Sequence, residues 1–477
     1  MAGNRSANQR TGRVTTVTHP DLPPAPNAMQ VLERLSQTGL LALPPVALPD
    51  LHLKSALETP SSTATATQDT LILGLSSPSP NCGMALAATS LGRDDLDEKY
   101  LDDLFERLAA DLDPDARGVA IDKATLDEVL LHGASANIAS CASYFAHAIA
   151  DGGQAFSADE VEAHRADILA SVPTGFHPLA QREFGLIGRG NHFLELQVVD
   201  EVLNEATAAT WGLSAGQVIV MYHADSGHLG AAVGRLFAHR RKNTPRGRLL
   251  EWRIKLPYHF LNGGLPRDRW RRLRYFLPCS WLPIQAESAE GRRCRWALGA
   301  ATNYAFAGRL AVLETLGQAL RAVWGSAFQR PRLIYDAPHN GIWRERIGER
   351  MFWIHRHNAV RVTPSSCLSA DNPYRETGHP VLLPGTERTS SYLCASGEGA
   401  TETLHSAGHG AGHAVQSLGR VVSDSMPPTR IYGYGDRRVE LRPGLSDDGV
   451  EAVLQGLTAH DIVRPVARLR PVAVLKG

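Results

Sequence analysis

Between His405 and His413 the chain reads His-Ser-Ala-Gly-His-Gly-Ala-Gly-His, placing imidazoles at positions 405, 409 and 413 around small residues. A neutral imidazole is both a nucleophile and a ligand for divalent transition ions. Gly410, Ala411 and Gly412 permit unusual backbone angles, so that successive N–H groups can converge on one phosphate oxygen. His409 in such a nest suits attack on a bound nucleotide. A glycine-rich surface turn with idle histidines is the alternative reading of this segment alone.

Other residues of the same chemistry are dispersed. His192, His223 and His339 each follow or end an apolar run and have an Asn or Asp close by, namely Asn191, Asp225 and Asn340. Cys82 sits in the turn Ser79-Pro-Asn-Cys-Gly-Met84. With the three histidines it makes a candidate metal set, because thiolate and imidazole bind divalent ions and polar neighbours orient the rings. Ligands this far apart have no diagnostic spacing, and a buried inert thiol is the alternative. In Pro49-Asp50-Leu51-His52 the Asp and His are two apart, which puts them on one side of a strand. Two arginine-rich segments, Arg240 to Lys255 around Trp252 and Arg267 to Arg274 around Trp270, can contact phosphates and stack on bases, or form a solvated surface.

The elements that must position these residues follow from composition and periodicity. The 477 residues are 43% hydrophobic, and Lys+Arg and Asp+Glu both total 49, so a large core is available and no global field draws the chain to a polyanion. The six cysteines form no C-x-x-C pair and read as reduced thiols. No signal peptide and no apolar run of spanning length is present, which predicts a cytoplasmic protein without membrane partners. Residues 1–40 read as a flexible N-terminal extension, polar and proline-stiffened through Asn27, with a short helix from Met29 to Leu41. Helices are predicted over Leu96 to Leu112, Asp159 to Ala170, Gly230 to Arg240, Ala300 to Trp324 and Gly449 to Leu457. Strands are predicted over Thr70 to Leu75, from Phe193, and over Gln217 to Tyr222, Arg332 to Tyr335, Met351 to Ile354 and Pro380 to Leu383. Gly185 to Gly190 lacks the third glycine of a dinucleotide fingerprint and runs into a strand rather than a helix. Without repeats or a linker, residues 41–477 are expected to form one large α+β domain.

Asn191-His-Phe-Leu-Glu195, His339-Asn340, His409-Gly-Ala-Gly412, Cys82-Gly-Met84 and the terminal Lys476-Gly477 occur in an order that resembles the RtcB-type RNA ligases, which join RNA ends using GTP and manganese. The resemblance extends over nearly all of the chain after residue 40. It implies mixed sheets around a central metal and nucleotide cleft, with His409 as the histidine that takes GMP. It further implies that Cys82 bridges two Mn2+ ions, with His192 on one and His223 and His339 on the other. The guanylate pocket would comprise Asn191, His192, Phe193, Leu194, Glu195, His339, Asn340, Pro384, Gly385, Thr386, Glu387, Ser391, His409, Gly410, Ala411, Gly412 and Lys476. RNA ends, in the manner of tRNA halves, would be the partners.

Departures from the family pattern lie close to the chemistry. Ser79 stands where the family has a metal-binding aspartate, and Gly227 where it has an arginine. His357-Asn358 replaces Lys-Gly, Glu387-Arg388 replaces Met-Gly, and His413 and Gln416 replace Arg and Ser. A hydroxyl is a weaker ligand than a carboxylate, so the ion on His192 should be held less tightly unless water or Asp225 compensates. Manganese prefers oxygen, and a thiolate with imidazoles suits zinc, which is expected to compete. Three functions fit: a GTP-dependent RNA ligase, a metal-dependent cyclic phosphoesterase, and a non-catalytic RNA-end binder.

Overall fold

The segment Gln217–Ala224, Gln-Val-Ile-Val-Met-Tyr-His-Ala, is apolar at consecutive positions, the pattern of a strand covered on both faces. In the computed structural model it is such a strand: Val218, Val220 and Tyr222 enter one core cluster, and Ile219 and Met221 enter another. The structure describes residues 13–477 except 55–56, 116–117, 119, 137–147, 239–243, 262–269, 271, 278, 326–327 and 423–426. Cys141 and parts of both arginine-rich segments lie outside the described residues.

Among the described residues, seven strands form the main path of a central sheet, in the order Pro380–Leu383, Ser391–Ser396, Val463–Lys476, Phe193–Val202, Gln217–Ala224, Gly83–Gly92, Arg332–Pro338. Neighbours along this path are antiparallel. Thr429–Gly433 joins parallel to the C-terminal strand and carries Asp436–Arg442. A second sheet runs Thr15–Thr16, Val46–His52, Ser61–Thr67, Arg350–His357, Asn340–Ile347, with one parallel pair. The architecture is α+β with mixed sheets, as expected.

The register explains why dispersed residues meet. Gly83 faces both Ala224 and Pro338, Phe193 faces His223, and Lys476 faces Phe193. Cys82, His192, His223, His339 and Lys476 therefore all arrive at one end of the central sheet. His409 reaches the same place because Ala359 pairs with Gly408, while the Ala359 N–H donates to the His339 carbonyl at 3.0 Å.

Behind the sheet lies a helix of 36 residues, Ala289–Trp324, about 54 Å long. The Ser288 hydroxyl accepts from the Gly291 N–H at 3.0 Å and starts it, so it extends back well beyond the expected Ala300. Phe306, Leu310, Leu313 and Leu316 are fully buried in the main core, each contributing about 1.5–3 kcal/mol.

Several elements differ from the sequence reading. The residues read as a flexible extension include, from position 13 on, the strand Thr15–Thr16, and the short helix expected from Met29 to Leu41 lies at Pro26–Ser36, where it buries Ala28, Val31, Leu32 and Leu35. That helix begins at Pro26 because proline is favoured in a first turn. Thr70 to Leu75 is a strand only at Thr70–Leu71 and then a tight 3-10 turn. The arginine-containing segment Val463–Lys476, for which no element was expected, is one of the inner strands of the central sheet: Val466, Leu469, Val474 and Leu475 are buried, and Arg468 and Arg470 pair with Asp200. Pro471 is tolerated there because the pairing shifts between Pro471 and Ala473. The described cysteines are free thiols, and no helix among the described residues is long and apolar enough to cross a membrane.

Candidate active site and metal centre

Cys82 leaves a strained turn. Asn81 has φ +54°, and its conformation is held by its N–H donating to the Asn340 carbonyl at 2.9 Å and its side-chain amide donating to the Thr302 carbonyl at 2.7 Å. The His339 N–H donates to the Cys82 carbonyl at 2.9 Å, tying the two ligand-bearing loops together. Beneath them Arg309, fully buried, donates through Nε to both oxygens of Asp336 at 2.8 and 2.9 Å and through Nη1 to the Asn81 carbonyl at 2.8 Å. A side chain at Gly83 would meet the Ala337 carbonyl at 2.9 Å and this guanidinium at 3.0 Å.

Around this turn the imidazoles converge. The Cys82 sulfur lies 3.0 Å from His223 Nε2 and 3.5 Å from His192 Nε2. Donors sharing a tetrahedral ion through one sulfur and one nitrogen bond are about 3.5 Å apart. His223 Nδ1 donates to the Asn191 carbonyl at 3.1 Å, which fixes its tautomer and leaves Nε2 as the ligand atom. Two groups each have their ligand atoms within 4.8 Å of one another: Cys82, His223 and His339, and Cys82, His192 and Asp225. These residues fit two divalent ions sharing the cysteine. In the second group Asp225 supplies the carboxylate that Ser79 lacks, and the Ser79 hydroxyl donates to Asp225 Oδ2.

Burial holds His223 and His339 well below the ordinary imidazole range, and their histidine neighbours push the same way, so both are neutral ligands. Burial, helped by Asp225, pushes the Cys82 thiol well up, against Arg309 and Lys54. Cation binding reverses that balance and favours thiolate.

His409 lies against this centre, its ring stacked on His339 with centroids 3.5 Å apart and planes 5° from parallel. Burial first, then the Lys54 charge, push it down to about 3, so the ring is neutral over the working pH range. Its backbone N–H donates to the Asn358 carbonyl at 3.1 Å. Gly410 has φ +82°, a conformation that favours glycine.

Beside it opens a cleft of about 550 Å³ lined by Asn191, Phe193, Glu195, Pro384, Gly385, Thr386, Glu387, Ser391, Gly412 and Lys476 among others. That size suits a nucleotide. The Gly385 N–H donates to the Ser391 hydroxyl at 3.0 Å, and Lys476 Nζ lies 3.5 Å from Glu387 Oε2. Glu195 is buried, and burial raises its carboxyl to about 8 despite the Gln197 amide that donates to it.

Other expected pocket residues lie elsewhere. Leu194 turns into the main core, since alternation along its strand sends Phe193 and Glu195 to the opposite face. Asn340 does not line the cleft: its side-chain oxygen accepts from the Asn358 N–H at 2.8 Å, so it braces the loops. Ala411 is fully buried, and His192 and His339 belong to the metal centre. Of the three histidines in the opening motif, only His409 joins the ring stack with His223 and His339; His413 faces Asp50, and His405 stands near Glu345 and Arg356.

Lys54, Arg309 and Asp336 had no role in the sequence reading. Arg309 and Asp336 were visible as charges within apolar runs, but their pairing needs the fold. In the arginine-rich segments, Lys255 is buried and donates to the Tyr275 carbonyl at 3.0 Å, and Arg272 pairs with Glu290 at 2.9 Å. Those two cations are structural, whereas Trp252 and Trp270 are exposed.

Fold and site together define an α+β protein with a buried cysteine–histidine cluster that could hold a metal ion, beside a nucleotide-sized cleft. The chain belongs to the RtcB family: the family model described as tRNA-splicing ligase RtcB matches residues 34–477. Its relatives include the tRNA-splicing ligase RtcB of Thermococcus kodakarensis, 29% identical over 420 residues that cover 83% of this chain and 80% of that protein. The Archaeoglobus fulgidus protein of the same name is 29% identical over 423 residues, with the same coverage of 83% and 80%. The Pyrococcus furiosus relative is 29% identical over 424 residues, 83% of this chain but 40% of its own length, so this chain spans less than half of that protein.

Proposed function

We propose that this protein is a GTP-dependent RNA ligase that joins an RNA 3′-phosphate or 2′,3′-cyclic phosphate end to a 5′-hydroxyl end through guanylylated His409, in tRNA splicing or RNA repair. The observation that carries this reading is the position of His409, a neutral buried imidazole stacked on His339 and carried by the loop whose Gly412 lines the Glu195–Lys476 cleft. A hydrolase of cyclic phosphates would need no such acceptor.

The manganese ions of the family would be held by Cys82 with His223 and His339, and by Cys82 with His192 and Asp225. When bound they polarise phosphate oxygens and offset developing negative charge. His409 needs no separate base, because its ring is already neutral. Its ring nitrogen attacks the α-phosphorus of GTP, the bond to the β-phosphate oxygen breaks, and pyrophosphate leaves, its charge offset by Lys476. The stack against His339 and the backbone bond to Asn358 restrict the ring, which lowers the entropic cost of attack. Where the RNA ends in a 2′,3′-cyclic phosphate, water first adds to its phosphorus and the bond to the 2′-oxygen breaks, leaving a 3′-phosphate and a 2′-hydroxyl; an oxygen of the RNA 3′-phosphate then displaces the histidine nitrogen. Finally the 5′-hydroxyl oxygen attacks the activated phosphorus, forming the phosphodiester and releasing GMP. A second cleft, of about 530 Å³, reaches His192 and Asp225 past Arg182 and Arg189, and gives an RNA end its own approach.

The test is joining itself. Purified protein is given one RNA with a 3′-phosphate, another with a 5′-hydroxyl, GTP and Mn2+. A joined product that requires GTP is expected. Opening of a 2′,3′-cyclic phosphate without GTP and without joining would replace this reading with the phosphoesterase, and binding of ends alone would leave an RNA-end binder.

A further inference from the structure

A third group of ligand-type side chains stands apart from the Cys82 centre. Asp50, His52 and His413 have ligand atoms within 4.8 Å of one another. We propose that these three residues form a separate divalent-metal site, selective for a borderline ion such as Zn2+ or Co2+, with open coordination positions toward solvent.

The geometry of each ligand supports this. Asp50 is buried and has φ +64°, a strained conformation for a residue with a side chain, at a point where the pairing of Val46–His52 with Ser61–Thr67 shifts register. Its Oδ2 accepts from the His413 N–H at 3.3 Å, but its Oδ1 is buried without a hydrogen-bond partner. The nearest imidazole nitrogen, His413 Nδ1, is 3.5 Å from Oδ1. That is long for a charge-assisted hydrogen bond, yet it matches two ligands each about 2.1 Å from a tetrahedral ion, which are about 3.4 Å apart.

His52 is already set as a ligand. Its Nδ1 lies 2.8 Å from the Asp50 carbonyl oxygen, which can only accept, so Nδ1 carries the proton and Nε2 presents its lone pair. The His52 and His413 rings are stacked, 9° from parallel with centroids 5.0 Å apart, which holds both on the same side of the carboxylate. Burial raises the Asp50 carboxyl to about 7, against the backbone N–H groups of His413 and Ala414 and the charge of Lys54. Two imidazoles and one carboxylate suit zinc, cobalt or iron, and leave positions for water or a phosphate oxygen. The His413 side chain is 46% exposed, so an ion has a route in.

The experiment uses the full chain. Wild type, His413→Ala and His52→Gln are stripped with chelator, saturated with Co2+, freed of excess by gel filtration, and read by elemental analysis and absorption. Cobalt at Cys82 gives thiolate-to-metal charge transfer, whereas cobalt at the imidazole–carboxylate group gives ligand-field bands alone. Each variant is expected to hold one equivalent fewer than wild type, with the charge-transfer band unchanged and part of the ligand-field absorption lost. Equal cobalt contents in all three proteins would overturn the proposal. Loss of the charge-transfer band in the variants would overturn it too, because the two groups would then be one coupled centre. Thermal unfolding of the stripped proteins separates ligand loss from misfolding: matched midpoints are expected, since His413 is half-exposed and glutamine preserves a hydrogen-bonding side chain at His52. The readout is independent of GTP, so it succeeds or fails apart from the ligase reading.

Discussion

Arg309→Met removes the cation that holds the Cys82 and His339 loops in place, and its cost follows from what is left behind. Arg309 and Asp336 are both fully buried, and the guanidinium also serves the Asn81 carbonyl at 2.8 Å and Asn81 Oδ1 at 3.1 Å. A buried carboxylate deprived of its partner costs about 3–5 kcal/mol. Each unmatched acceptor adds about 1–3 kcal/mol, reduced where the turn relaxes. A loss of at least about 4 kcal/mol is therefore expected, measured by urea unfolding followed through tryptophan fluorescence, with refolding used to establish reversibility. The loss should depend on pH. Burial raises the Asp336 carboxyl and Arg309 opposes that rise, so removing Arg309 raises it further above its unfolded value. A group raised on folding contributes stability that is present at low pH and lost as pH climbs through its folded value. The variant should thus be closer to wild type at about pH 5 than at about pH 8. Adding Asp336→Leu should recover about half of the loss or more, because a missing pair costs less than a broken one. A cost below about 1 kcal/mol, or one that is unchanged by pH and by the second substitution, would refute the reasoning.

Two further outcomes follow from the site. With its carboxyl raised to about 8, Glu195 is largely protonated in the empty cleft at neutral pH, whereas guanine ring and amino N–H groups require the carboxylate; GTP affinity should rise about tenfold from pH 7 to pH 9 and level off, and Glu195→Gln should remove the dependence, as read by calorimetry. A flat profile in wild type would place the base elsewhere. Asp225→Asn should weaken the His192-side ion by about tenfold or more, and Ser79→Asp in that background should restore it, since the two side chains are in hydrogen-bond contact. Unchanged metal content in Asp225→Asn would show that another group supplies the charge.

The residues that converge on the candidate site were more legible than the framework that aligns them. His192, His223 and His339 announced themselves as polar residues at the margins of apolar runs, and alternation through Phe193, Leu194 and Glu195 carries enough information to decide which side chain faces the cleft. Leu194 was nevertheless grouped with the pocket, because a motif marks a segment and not a face. The C-terminal strand mixes arginines and prolines with apolar residues, and only pairing with Phe193–Val202 and Ser391–Ser396 shows the polar ones accommodated by Asp200 and by register shifts. Asp50 and His52 were placed on one side of a regular strand, whereas a bulge and a left-handed Asp50 actually bring them to His413. Long-range partners such as Arg309 with Asp336 depend on the topology, which periodicity does not encode.

The central claim is that His409 accepts GMP. Protein is incubated with α-phosphate-labelled GTP and Mn2+, denatured, and the label mapped by peptide mass analysis and by its stability to acid and base. One acid-labile, base-stable label is expected on His409, absent from His409→Ala although that variant still binds RNA ends. Wild-type protein that binds RNA ends but takes up no label with manganese, zinc or cobalt, or that carries it on another residue, would contradict the account.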